Sequence, residues 1–198
     1  MDMALDLAAV SDEALMVLYA NGDPAAARTL TLRLTPRILG YAARILGGDR
    51  AEAEDVAQEA MLRLWRVAPD WRQDEARVST WAYRVVTNLC TDRLRRRVRR
   101  PATALDDAPE VASGAAGAVA GLIEADRMAA LQTALSALPD RQRQAVVLRH
   151  IEGMSNPEIA AIMDLGVEAV ESLTARGKRS LAALLSGQRE ALGYEDSE

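Results

Sequence analysis

Phenylalanine is absent from these 198 residues, and Trp and Tyr together bring the aromatic share to only 4%. β-branched runs are scarce as well, so a pleated sheet has little to build with, whereas Ala and Leu dominate and favour helices. The chain reads as all-α. A single cysteine, Cys90, cannot form an internal disulfide, and with a single histidine, His150, no Cys/His metal site can be assembled. Zinc and redox-pair chemistry are therefore excluded, and no cofactor is expected. A lone cysteine in a small domain is read as buried and inert, and His150, beside Arg149, as a packing or surface residue. No apolar run approaches the roughly 18 residues of a membrane span, and the N-terminus lacks the basic start and apolar stretch of a secretory signal. The expectation is a cytoplasmic protein without membrane insertion. Nor does a nucleophile–base pair, a phosphate loop or a paired-carboxylate cluster emerge, so the chain is not read as an enzyme.

Lysine is almost missing too: every basic residue except Lys178 is Arg. The net charge of −5 argues against nucleic acid as a partner until its distribution is considered. Residues 66–100 carry ten basic groups against four acidic ones, and six of the eight side chains from Arg93 to Arg100 are guanidinium. Arginine suits phosphate geometry, although Arg at a helix end also meets the negative pole of the helix dipole. With 49% hydrophobic residues the chain can bury a core.

Punctuation divides the chain. Ser11 caps a short helix, Asn21-Gly22-Asp23-Pro24 makes a turn, and Pro24 opens a helix to about Leu46 whose Leu30, Leu34, Ile38, Tyr41 and Ile45 form a buried stripe. Pro36 should kink or break it. Asp49 and Glu52 have the spacing of a capping box for a helix to about Val67, and a further helix opens at Ser79 or Thr80 and runs into the Arg block. Residues 101–121, rich in Ala, Gly, Pro and acid, read as a flexible linker with a root-mean-square span of about 25 Å and a reach of roughly 70 Å. It separates a domain over 1–100 from one over 122–198, and the two could work far apart.

In the second domain, Ser155 and Glu158 form another capping box, Asp164-Leu165-Gly166 a tight turn, and a helix starts at Val167. That is a helix-turn-helix. At 100° per residue Val167, Val170, Leu173, Thr174, Gly177, Leu181 and Leu184 gather on one side, leaving Glu168, Glu171, Ser172, Ala175, Arg176 and Arg179 outward, where they would face a major groove. An ordinary helical hairpin is the plainer reading. The same projection of the helix after Thr80 puts Val78, Ala82, Val85, Val86 and Leu89 in the core and Arg77, Trp81, Arg84, Asn88, Thr91 and Arg95 in an adjacent sector. Aromatic stacking, guanidinium and an amide able to bond a base edge suit unpaired DNA. Trp81 serves packing or stacking equally well; Trp65 and Trp71 read as packing.

The runs Ala53–Arg66 and Thr80–Arg93, and the stretch from Leu138-Pro139 through Arg143 to Glu152-Gly153-Met154-Ser155, resemble bacterial extracytoplasmic-function (ECF) RNA polymerase sigma factors in order and spacing. The resemblance implies a promoter-recognition subunit without a catalytic site, with a region-two domain, a linker and a region-four domain. It implies that Asp55, Gln58, Glu59 and Arg63 dock on core RNA polymerase. Trp81, Arg84 and Asn88, with the loop around Trp71 and flanked by Arg77 and Arg95, would capture the melted minus-10 strand. The helix-turn-helix, through Glu168, Glu171, Ser172, Arg176 and Arg179, would read the minus-35 duplex of promoter DNA. An anti-sigma factor is a further implied partner. Two departures stand out: Met61 where relatives commonly carry an aromatic, and acidic Glu171 with Leu173 where they usually carry basic residues. Two rival readings are a helix-turn-helix regulator acting alone on duplex DNA and a sigma-mimicking interaction protein.

Overall fold

The computed structural model describes residues 6–72, 77–99 and 120–186, without the side chains of 120–124. Every regular element among them is helical: α1 (Asp12–Ala20), α2 (Pro24–Ile45), α3 (Arg50–Val67), α4 (Val78–Arg99), α5 (Ala120–Ser136), α6 (Asp140–His150), α7 (Asn156–Met163) and α8 (Val167–Ser186), with a 3-10 turn at Ala68–Asp70. The expected linker lies outside the described residues except for its last two positions, which open α5.

Local chemistry sets the boundaries. Ser11 accepts from the Ala14 amide and starts α1. Gly22 takes φ +94°, a left-handed value open to glycine, and Asp23 then caps α2 by accepting from the amides of Ala25 and Ala26. All five residues of the expected α2 stripe are fully buried. The helix runs unbroken through Pro36; the lost amide is tolerated because packing on both sides of the helix holds it. Only half of the expected box at α3 forms. Asp49 accepts from the Glu52 amide at 3.0 Å, but the Glu52 carboxylate turns to Arg97 of α4, also at 3.0 Å. The charged partner outbids the neutral amide.

The first domain packs α1 to α4 around Leu15, Leu30, Ile38, Tyr41, Leu64 and Tyr83, each fully buried. In the second domain α6 is the central rod. Residues 143–148 are buried in unbroken sequence, a pattern that requires cover on every side. α8 and α7 cover part of it, α2 of the first domain covers another side, and Gln144 reaches Thr91 of α4. The two domains, read from the sequence as able to work far apart, are therefore docked in this structure.

α8 approaches α6 so closely at Gly177 that a Cβ there would lie 2.6 Å from Val146 Cγ2 and 3.1 Å from the Gln142 carbonyl oxygen. Gly177→Ala should therefore cost about 1–3 kcal/mol in overpacking, more than the roughly 1 kcal/mol of helix propensity it returns. A lowered thermal midpoint by circular dichroism is expected; an unchanged or raised one would mean the two helices part without penalty.

Candidate nucleic-acid interface

α4 owes its position to carboxylates on other helices. Its first residue, Val78, donates its amide to Glu13 Oε1 of α1 at 3.2 Å, a cap supplied from 65 residues upstream. At the far end Arg97 is held by Asp49 at 2.6 Å and Glu52 at 3.0 Å. Val78, Ala82 and Val86 are buried, and Val85 and Leu89 are half-buried against the same core. The adjacent sector reaches solvent: Arg77, Arg84, Asn88 and Arg95 are exposed, Trp81 and Thr91 half-buried. Trp81 meets Trp71 edge to face, ring centres 6.3 Å apart and planes at 86°. That contact leaves one indole braced by another beside an exposed guanidinium and an exposed amide. Within the Arg block Arg93 and Arg97 face the acids at the start of α3, whereas Arg95, Arg96 and Arg99 form no ion pair among the described residues.

α3 builds a second surface. Asp55, Gln58 and Arg63 are exposed and Glu59 partly so. Arg63 donates to Glu59 at 2.8 Å, and that bond holds the Glu59 carboxyl below its ordinary range. Beside them runs a groove of about 500 Å³ lined by Thr31, Leu39, Met61, Leu62 and Trp65 together with Asp55 and Gln58. Leu62 is 45% exposed and Leu32 of α2 is 66% exposed, an apolar presentation rimmed by charge. Trp65, expected to pack, does so on Tyr19 with ring centres 4.7 Å apart, yet it also lines this groove.

The helix-turn-helix forms as expected. The Ser155–Glu158 box closes in both directions, Asp164 adopts a left-handed φ of 54° in the turn, and Glu168, Glu171, Ser172, Ala175, Arg176 and Arg179 are all exposed. Hydrogen bonds to Ser155 are the main reason that the Glu158 carboxyl lies below its usual range. Val170 and Gly177 are buried on the opposite side, while Leu184, expected there too, is 43% exposed near the helix end. Asn156 at the start of α7 donates to Glu171 at 3.2 Å, which fixes one acidic side chain of the outward face.

The Sigma-70 region 2 pattern matches residues 30–100, and the Sigma-70 region 4 pattern matches residues 128–181. The first spans the groove and α4, the second the helix-turn-helix. The ECF RNA polymerase sigma factor SigM of Mycobacterium tuberculosis (strain H37Rv) is 36% identical over 175 residues, covering 88% of this chain and 85% of that protein. The structure of CnrH in complex with the cytosolic domain of CnrY superposes with a TM-score of 0.64 at 29% identity, over 89% of this chain and 97% of CnrH. The sigma factor RpoE of Bartonella quintana, in complex with the anti-sigma factor NepR, shares the fold with a TM-score of 0.61 at 20% identity, over 80% and 96% of the two chains. The chain belongs to the ECF RNA polymerase sigma factors. It is thus a non-enzymatic subunit that directs transcription initiation through regions 2 and 4.

The structure brings Trp71 and Trp81 together and aligns Arg84, Asn88 and Arg95 on one exposed face. It sets Arg77 apart from them, against Glu158 of α7 at 3.0 Å. Sequence reasoning missed the burial of Tyr83 and Thr87, which with Cys90, read as buried, form a second buried line on α4. Tyr41 and Thr87 share a buried hydrogen bond of 2.9 Å, and an aromatic and a threonine between apolar positions were the available signal. Cys90 is fully buried, and burial pushes its thiol up to about 12. The folded protein should therefore resist iodoacetamide at pH 8, with alkylation rising to that of a free thiol in denaturant. Fast alkylation of the native chain, followed by mass spectrometry, would contradict this burial.

Proposed function

We propose that α4 captures the melted minus-10 strand. Trp81, braced by Trp71, would stack a base; Asn88 would bond a base edge; Arg77, Arg84 and Arg95 would track phosphate. The observation that carries the reading is the exposure of Arg84 and Asn88 beside a half-buried, braced indole on a helix otherwise rooted in the core. Stacking is worth about 1–3 kcal/mol per base, enough to offset much of the few kcal/mol that removing one base from a duplex costs. The acid-and-amide face of α3, with Asp55, Gln58, Glu59 and Arg63, docks on core RNA polymerase, and the exposed Leu62 in the adjoining groove supplies apolar area for the same contact.

The exposed side of α8 reads the minus-35 duplex. Recognition helices meet base edges with their N-terminal residues, so Glu168 and Glu171 face bases while Arg176 and Arg179 follow the backbone. A Glu can accept from cytosine N4; the acids therefore select bases at the expense of general phosphate attraction. Few contiguous basic surfaces mean weak binding to bare DNA, because nonspecific affinity grows with the number of phosphates neutralised. Polymerase supplies the missing contacts.

The working units in this reading are residues 1–100, a tether over 101–121 and residues 122–198. Among the described residues no helix is long and apolar enough to cross a membrane, in keeping with a factor that works on cytoplasmic polymerase. CnrH and RpoE were each solved bound to a second protein, an anti-sigma factor in the case of RpoE; an anti-sigma partner for this chain fits the same pattern.

Core polymerase reconstituted with this chain should produce discrete start sites on a genomic library, and their absence would reject the reading. Asn88→Ala should reduce open-complex formation about tenfold with polymerase affinity unchanged, while Asp55→Arg should do the reverse; equal loss of both activities in either variant would mark the residue as structural. Arg176→Ala should lower the slope of log affinity against log salt for minus-35 duplex by about one, and an unchanged slope would remove this guanidinium from the phosphate contacts.

A further inference from the structure

Among the described residues, Glu171 is the outward side chain of α8 that another helix holds. Asn156 Nδ2 of α7 donates to Glu171 Oε1 at 3.2 Å, whereas Arg176 and Arg179 donate to carbonyls of α8 itself, at 3.2 and 3.4 Å. Asn156 is the first residue of α7 and is half-buried. Its backbone is fixed from both sides: the Ser155–Glu158 box closes around it, and the ring of Pro157 locks the next φ. Ile159, Ile162 and Val170 are buried and hold α7 to α8, so two residues 15 positions apart in the chain meet in one place. The bond occupies Oε1. Oε2 has no hydrogen-bond partner among the described residues, and the side chain is exposed.

A glutamate that reads a base loses rotamer freedom as it binds, and one already tethered has less to lose. What the tethered carboxylate can read follows from its chemistry. It accepts hydrogen bonds and donates none. In the major groove guanine presents two acceptors, N7 and O6, and thymine presents O4 and a methyl group; neither offers Oε2 a donor. Adenine offers its N6 amino group beside the N7 lone pair, which repels the same carboxylate. Cytosine offers the N4 amino group with no acceptor next to it. Phosphate repels the acid whatever the sequence, so the penalty is common to all sites and the return comes from one base.

We propose that Asn156 is a positioning residue for Glu171, and that the pair selects cytosine at one position of the minus-35 element. The inference rests on the reading of α8 as the helix that meets the duplex. Glu168, which has no hydrogen-bond partner among the described residues, keeps its rotamer freedom and discriminates less.

The test uses core polymerase reconstituted with the full chain. Promoter duplexes share one minus-10 element, taken from a start site that this holoenzyme uses, and are randomised across the minus-35 stretch; the bound fraction is sequenced. Cytosine should be enriched about tenfold at one position, the usual weight of one correct base pair. Glu171→Gln should move the preference at that position to adenine, because a primary amide pairs with N6 and N7 together. Asn156→Leu, similar in volume but without a donor, should lower the cytosine preference to about twofold, and Asn156→Gln, which keeps a donor, should restore most of it. Preferences elsewhere in the element should stay as they are in all three variants. A cytosine preference that survives Glu171→Gln, or the lack of one in the unmodified holoenzyme, overturns the selection. An undiminished preference in Asn156→Leu, or relaxation of every position together, overturns the positioning role. No selectivity at any minus-35 position overturns the duplex reading of α8 and this inference with it.

Discussion

α4 is pinned at both ends by carboxylates from other helices, and the rest of the molecule is arranged around that fact. Glu13 of α1 satisfies an amide at its start, and Asp49 and Glu52 of α3 hold the guanidinium of Arg97 near its end, where the helix dipole is negative and cations are favoured. Between the pins, two buried lines anchor the rod in the first domain, one aliphatic and one running through Tyr83, Thr87 and Cys90. A helix held this way cannot roll. Its remaining sector therefore keeps one orientation, and the side chains there are ordered before any ligand arrives. Preorganisation of this kind spares the ordering entropy that a flexible surface would lose on binding.

The acidic balance of the chain follows from the same arrangement. Acids at the start of α3 neutralise part of the Arg block and fix α4, so the guanidinium groups of that block without an ion pair among the described residues are Arg95, Arg96 and Arg99, near the end of the helix. On α8 the acids Glu168 and Glu171 precede Arg176 and Arg179, so attraction to phosphate is confined to the later turns. In the function proposed above, such a subunit depends on the polymerase that carries it to the promoter.

Much of this was legible in the sequence because it is local. Capping by Ser11, Asp23 and Ser155 involves residues two or three apart, and the α2 stripe repeats every three or four; such patterns need no knowledge of the rest of the fold. The exposed sector of α4 and the outward set of α8 followed from the 100° step alone. What escaped depends on residues far apart in the chain. Glu13 capping Val78, Glu52 forsaking its own box for Arg97, and Glu152 meeting Tyr83 are separated by 45 to 69 positions, from the 45 between Glu52 and Arg97 to the 69 between Tyr83 and Glu152. Pro36 was expected to disturb α2, and a long helix wedged between α1 and α3 absorbed it. The docking of the domains was hidden for a related reason: only the folded chain shows six consecutive buried positions on α6 that call for a second neighbour.

Tyr41, Thr87, Thr91 and Gln144 form a relay of hydroxyls, one carbonyl and an amide that begins in the core of the first domain and ends on the second. Its last step, like the ion pair at Arg77, offers groups that water can serve once the partner leaves. Hydration can thus take over the polar links of that seam, whereas the apolar side chains of α6 sheltered there belong to one cluster with the first domain. A boundary made in this way is drawn together by hydrocarbon and given its register by the polar links.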